Sequence, residues 1–147
     1  MFSYGDGNRI DFTKTKGMVG IFAPNASGKS SLFDALSFCV YDKTSRTYIA
    51  KNILNNRKTN FRCKLHFTIE NIDYFIERRA KLINHGRNLK VDVDFWKEED
   101  GLITSLNGEQ RKDTNKNIIQ YLGKYEDFVL TALSLHCLLY TSDAADE

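Results

Sequence analysis

Cysteine is scarce: Cys39, Cys63 and Cys137 are the three in 147 residues, and no two stand at CxxC spacing. That excludes a zinc ribbon and a disulfide framework, and it makes a reducing cytoplasm the expected compartment, that of the host cell if the source is viral. Long apolar runs are missing, so no bilayer-spanning helix and no membrane partner are expected. Met1 to Arg9 is polar and lacks the apolar stretch of a signal peptide. There is no internal repeat, no low-complexity segment and no heptad run. Net charge is only +2. Setting aside Asp143, Asp146 and Glu147 leaves about +5 on residues 1–136. That mild excess permits a nucleic-acid partner without requiring one.

What remains has the balance of a globular domain, 41% hydrophobic and 27% charged. Arg9–Phe12 and Met18–Phe22 read as two short strands joined by a turn over Thr13–Gly17. After a loop, Leu32, Phe33, Leu36 and Val40 recur at helical spacing with Ala35 between them. Tyr41–Asn60 is polar and irregular, a long loop with room for a short helix. Then Phe61, Cys63, Leu65, Phe67 and Ile69 alternate with Arg62, Lys64, His66, Thr68 and Glu70, which predicts a half-buried strand. A turn at Asn71–Asp73 leads to a second strand beginning Ile72, Tyr74, Ile76. Lys81–Asn88 is a basic loop, and Leu89, Val91, Val93 and Phe95 form a third alternating run. Such short connections predict an antiparallel meander. Glu98–Gly101 and Asn107–Gly108 are turns. Asp113 or Thr114 can cap a helix that runs to Leu122 and stops at Gly123. Tyr125–Leu135 is apolar, helical at first, with Phe128–Leu135 expected to be buried.

The segment 23–30 carries the chemistry. It reads A-x-x-x-x-G-K-S, entered by an apolar stretch and left by an amphipathic helix. This fits the Walker A phosphate-binding loop, with Ala23 in place of the first glycine. Such a loop cradles phosphates on backbone N–H groups, here those of Asn25, Ala26, Ser27 and Gly28, with Ser31 following on the helix. Gly28 lets backbone approach closely because it has no Cβ. Lys29 is a compact cation for the β- and γ-phosphates, and the Ser30 hydroxyl is a Mg²⁺ ligand. The implied cofactors are ATP and Mg²⁺.

The run Ala23-Pro24-Asn25-Ala26-Ser27-Gly28-Lys29-Ser30-Ser31-Leu32-Phe33-Asp34-Ala35-Leu36 resembles the GPNGSGKSSLLDAL signature of chromosome-maintenance ATPases. With Phe2-Ser3-Tyr4-Gly5 and Arg9-Ile10-Asp11-Phe12 before it, the chain is similar to the ABC-type ATPase subunit of SbcC-like repair nucleases, the phage recombination endonuclease subunit included. Ala23 and Ala26 depart by replacing common glycines. If Ala26 needs positive φ, the cost is about 1 kcal/mol. The resemblance implies an α/β fold: an amino-terminal P-loop half-lobe with an antiparallel meander after the Walker A helix. It implies a carboxy-terminal half of the same protein bearing the signature motif, Walker B aspartate and catalytic glutamate. Nothing here matches those, so this chain alone is expected not to turn over ATP. Complete lobes would pair as a homodimer over two ATP molecules, clamp DNA and gate a partner nuclease subunit. The alternatives are a RecF-like or other ABC-type ATPase outside repair, as in phage defence, and a nucleotide-dependent DNA-binding module that never hydrolyses.

The last eleven residues, Cys137–Glu147, match the translation of a transposon-derived sequencing adapter. Residues 1–136 are then the half-lobe and 137–147 an appended tail. The adapter's first base would complete codon 136, so His136 stands where CAA or CAG would encode glutamine. The resemblance places a Q-loop glutamine, which contacts Mg²⁺ and the attacking water, in about this region. His136 as a native residue, and a glutamine outside the Q-loop, remain the alternatives.

Arg57, Lys58, Arg62, Lys64, Arg78, Arg79, Lys81, Arg87 and Lys90 make the middle of the chain basic. They are candidate DNA phosphate contacts or simply a solvated strand face. Family likeness would bring Arg9, Lys14 and the stretch from Asp42 to Arg46 toward the nucleotide; ordinary surface charge is the other reading. His66 and His85 have no partner at metal-ligand spacing. Cys39 is expected to be a small core residue and Trp96 a packing residue.

Overall fold

The structure is a computed structural model that describes residues 4–17, 20–22, 24–25, 28–44, 53–55, 57–84 and 87–131. Its centre is a four-stranded antiparallel meander: β1 (Asn60–Ile69), β2 (Ile72–Ile83), β3 (Asn88–Glu99) and β4 (Leu102–Ser105), in that spatial order. Helices α1 (Lys29–Tyr41) and α2 (Arg111–Leu122) cover one face, α1 over β1 and β2, and α2 over β3. Helix α3 (Tyr125–Thr131) follows, and Tyr125 and Phe128 pack their rings on Tyr41.

The meander predicted from alternation is present. Its hairpins are tighter than expected because two turns have both central residues at positive φ: Glu70 and Asn71 at 52° and 65°, Asp100 and Gly101 at 51° and 78°. That geometry suits the twist of two-residue hairpins. The first three residues of the basic loop predicted over Lys81–Asn88 are strand, since β2 continues to Ile83, and Asn84 and Arg87 are turn residues. The register pairs Cys63 with Arg78 and Leu65 with Ile76, so Tyr74, Ile76, Arg78 and Ala80 share the inner face with Phe61, Val91, Val93 and Phe95. Strand β4 has no counterpart in the sequence expectation, and its Leu102 and Ile103 are exposed.

Four further expectations are corrected. Arg9–Phe12 is not a strand. Asp11 Oδ1 accepts from Thr13 N at 3.1 Å and Thr13 Oγ1 at 2.6 Å, and this local turn draws Phe12–Lys14 into a single 3-10 turn. Gly20–Phe22 pairs with no strand among the described residues, and Met18 and Val19 lie outside them. Helix α2 begins two residues before Asp113, because the Thr114 hydroxyl donates back to Gln110 O and accepts from Gly108 N. In α3, Leu130 is 80% exposed, not buried; 132–135 lie outside the described residues. The irregular stretch before β1 also does more than connect, since Ile53 and Leu54 are buried against Phe38 and Phe61.

Candidate functional site

Helix α1 places the predicted phosphate-binding residues. Gly28 is its N-cap, with φ 100° and ψ 12°, a left-handed conformation that side chains resist. No side chain caps the helix, and its first turn holds no acid. The amides of that turn therefore have no side-chain cap, and the positive end of the helix dipole lies behind them. Lys29 reaches back across the loop, its Nζ donating to Pro24 O at 2.8 Å. Ser30 is exposed, whereas Ser31 is buried. Ala26, Ser27 and His136 lie outside the described residues.

A strut from the start of the chain steadies this corner. Tyr4 donates its hydroxyl to Gly28 O at 3.1 Å, and Asn55 Nδ2 donates to Tyr4 O at 3.4 Å. Two residues on, Lys58 Nζ lies 2.6 Å from Asp6, and that ammonium holds the Asp6 carboxyl below its ordinary range.

The predicted face of α1 is buried in part: Val40 and Cys39 lie in the core and Leu36 packs against it, with Ser31, Asp34, Ser37, Phe38 and Tyr41 also buried, whereas Phe33 is exposed. Ile10, Phe12 and Ile21 are exposed as well, and Phe22 is 94% exposed. These apolar side chains lack the neighbours that would bury them among the described residues.

A protein-family profile described as an AAA domain matches residues 1–136. An uncharacterized protein of Acanthamoeba polyphaga mimivirus is 38% identical over 140 residues, covering 90% of this chain and 10% of that protein. The DNA double-strand break repair Rad50 ATPase of Methanococcus maripaludis is 27% identical over 108 residues, covering 74% of this chain and 10% of its own length. The SbcC component of the SbcCD nuclease from Bacillus subtilis is 34% identical over 131 residues, 84% of this chain and 11% of that component. The chain belongs to the SbcC-like ABC ATPase family. It spans about a tenth of the length of these curated relatives.

Within this SbcC-like chain, the basic segment divides. Arg78 is 0% exposed, the largest fully buried side chain among the described residues, and is no surface contact. Its Nε donates to Cys39 O at 2.7 Å, and its Nη2 donates to Val40 O at 2.9 Å and Asn115 Oδ1 at 2.7 Å. It thereby satisfies carbonyls at the C-terminal end of α1. Burial lowers the Arg78 pKa, and Asp42, 3.9 Å from Nη1, opposes that shift. Asp42 also holds Arg111 at 3.0 Å. The Asp42 carboxylate is thus engaged at the far end of α1 from the loop; Lys43 pairs with Glu126 there, and 45–46 lie outside the described residues.

On the open face of the sheet, Arg79 pairs with Asp94 and Lys90 with Asp92. Lys64 lies over the rings of Phe75 and Trp96, 4.8 and 5.0 Å from their centroids. Trp96 is a packing residue there, stacked on Phe75. Arg62 and Lys81 have no acidic partner among the described residues. His66 pairs with Asp73 at 2.9 Å, and no cluster of three or more metal-ligating side chains occurs among the described residues. His85 lies outside them.

Arg78 and Tyr4 take structural roles that the sequence does not assign to them. The parity of Tyr74, Ile76 and Ala80 places Arg78 inward, and that signal was available. Tyr4 left none, because its partner Gly28 O is a main-chain atom 24 residues away.

Proposed function

We propose that the chain binds Mg-ATP on the 23–30 loop, as the nucleotide-binding part of a DNA double-strand-break repair or recombination ATPase that gates a partner nuclease. The observation that carries this is the opening of α1: a left-handed Gly28, uncapped amides and Lys29 folded over the loop. Those features suit a polyphosphate. The amides of Asn25, Ala26, Ser27, Gly28 and Ser31 would hold phosphate oxygens. Lys29 would exchange Pro24 O for the β- and γ-phosphates, and the Ser30 hydroxyl would hold Mg²⁺. Bound Mg²⁺ would neutralise phosphate charge. A glutamine native to position 136 would contact the ion and the attacking water.

The exposed side chains of Ile10, Phe12, Ile21, Phe22 and Phe33 suit burial by the carboxy-terminal ATPase half of the same protein. Completed lobes would pair as a homodimer. Arg62 and Lys81 are the best-placed cations for DNA phosphates. Thermal unfolding tests the nucleotide reading. Mg-ATP should raise the midpoint, and keep raising it with the logarithm of its concentration above Kd, and Mg-AMP should not. Equal shifts from both would overturn it, because the loop would then be reading the nucleoside.

A further inference from the structure

Tyr4 and Gly28 stand 24 residues apart in the chain, and the Tyr4 hydroxyl donates to Gly28 O at 3.1 Å. That carbonyl belongs to the peptide unit whose N–H is carried by Lys29, the first residue of α1. A trans peptide is planar, so its C=O and N–H point in opposite directions. Holding the carbonyl on one side therefore aims the Lys29 N–H out of the other, off the N-terminal end of the helix. This amide is one that the helix's own ladder does not use. Gly28 has no side chain to settle its conformation, and it stands at φ 100° and ψ 12°, one of many regions open to glycine. The aim of its peptide depends on an outside hold. Tyr4 is itself held: Asn55 Nδ2 donates to Tyr4 O at 3.4 Å, and Lys58 Nζ lies 2.6 Å from Asp6 Oδ2. Both partners come from the stretch before β1.

We propose that Tyr4 is a positioning residue of the nucleotide site: its hydroxyl fixes the Gly28–Lys29 peptide so that the Lys29 N–H donates to a phosphate oxygen of Mg-ATP. The inference rests on the Mg-ATP reading above and adds to it the residue that orients this peptide. Tyr4 acts through the main chain and not on the ligand. A phosphate oxygen that accepts from Lys29 N–H completes a line of two hydrogen bonds through one peptide, hydroxyl to carbonyl and amide to phosphate. Bonds in such a line polarise one another. The Tyr4 bond draws charge toward the carbonyl oxygen and leaves the N–H a stronger donor. Lys29 then serves the phosphates twice, by the amide that Tyr4 aims and by the ammonium that rests on Pro24 O at 2.8 Å. Tyr4→Phe keeps the ring and the main-chain acceptor for Asn55 and removes the hydroxyl, so it isolates the bond.

The test is isothermal titration of Mg-ATP into the whole parent chain, Tyr4→Phe and Lys29→Ala, with urea unfolding of each. Amide NMR spectra of the nucleotide-free parent and of Tyr4→Phe accompany it. Tyr4→Phe should raise Kd about three- to tenfold, the worth of one hydrogen bond. It should also move the Lys29 amide resonance before any nucleotide is added. A lowered urea midpoint with the parent's affinity would make Tyr4 a contact of the fold alone and overturn the proposal. So would a raised Kd with an unmoved Lys29 resonance, because the effect would not run through that peptide. The parent's affinity in Lys29→Ala would overturn the Mg-ATP reading, and this inference with it. Lost affinity in Lys29→Ala beside the parent's affinity in Tyr4→Phe would overturn this inference alone.

Discussion

The guanidinium of Arg78 and the main chain of Cys39 form a 2.7 Å hydrogen bond that joins the centre of the sheet to the end of the helix leaving the 23–30 loop. A charge so placed is a structural strut. Arg78→Met should cost about 2–5 kcal/mol, since it strands the Cys39 and Val40 carbonyls and leaves Asp42 only Arg111. Arg78→Lys should not restore it, because one ammonium cannot reproduce the fork. Urea unfolding checks this. Variants within about 0.5 kcal/mol of the parent would mean the fork is dispensable.

Gly28 makes a second, local prediction. At φ 100° an added Cβ is strained, so Gly28→Ala should destabilise by about 1–2 kcal/mol. It should also weaken Mg-ATP binding more than it weakens folding, since the strain falls where α1 opens. Calorimetry paired with urea unfolding separates the two. Unchanged nucleotide affinity would show that the left-handed N-cap is irrelevant to the ligand.

DNA binding should be electrostatic and confined to cations that the fold leaves without acids. Arg62→Ala and Lys81→Ala should each weaken binding to any sequence alike and lower the salt slope by about 1. Fluorescence anisotropy across a salt series reads both. Binding that holds as salt rises would contradict this, and would point to a contact other than phosphate.

The Asp73 carboxyl is held below its ordinary range by hydrogen bonds from His66 and then Thr68. A depressed folded pKa gives stability that is present above the ordinary carboxylate range and lost as pH falls through the folded value. An NMR titration should find Asp73 titrating low in the parent and closer to its ordinary value in His66→Ala. No movement in that variant would assign the shift to Thr68.

The meander was legible because strict period-two alternation leaves a sheet few choices, and helices α2 and α3 because Gly123 separates two helical runs. Arg78 reads as surface when its charge is allowed to outweigh its parity: its place between Ile76 and Ala80 already turns it inward. The 3-10 turn was hidden because Arg9–Phe12 looks like a strand until Asp11 bonds Thr13. The exposure of Phe33 was beyond sequence reading, since periodicity says that a face is apolar without saying what covers it. Of the site, Gly28, Lys29 and Ser30 were legible as a spaced pattern. The Tyr4 strut was not, because a hydroxyl meeting a main-chain carbonyl leaves no pattern in side-chain spacing.

The central claim is that Lys29 and the opening of α1 hold the phosphates of Mg-ATP. Isothermal titration of Mg-ATP into the parent chain and into Lys29→Ala tests it most directly. The account predicts measurable binding by the parent and at least a tenfold loss in the variant, about 1.4 kcal/mol. Equal affinity in the two would contradict it.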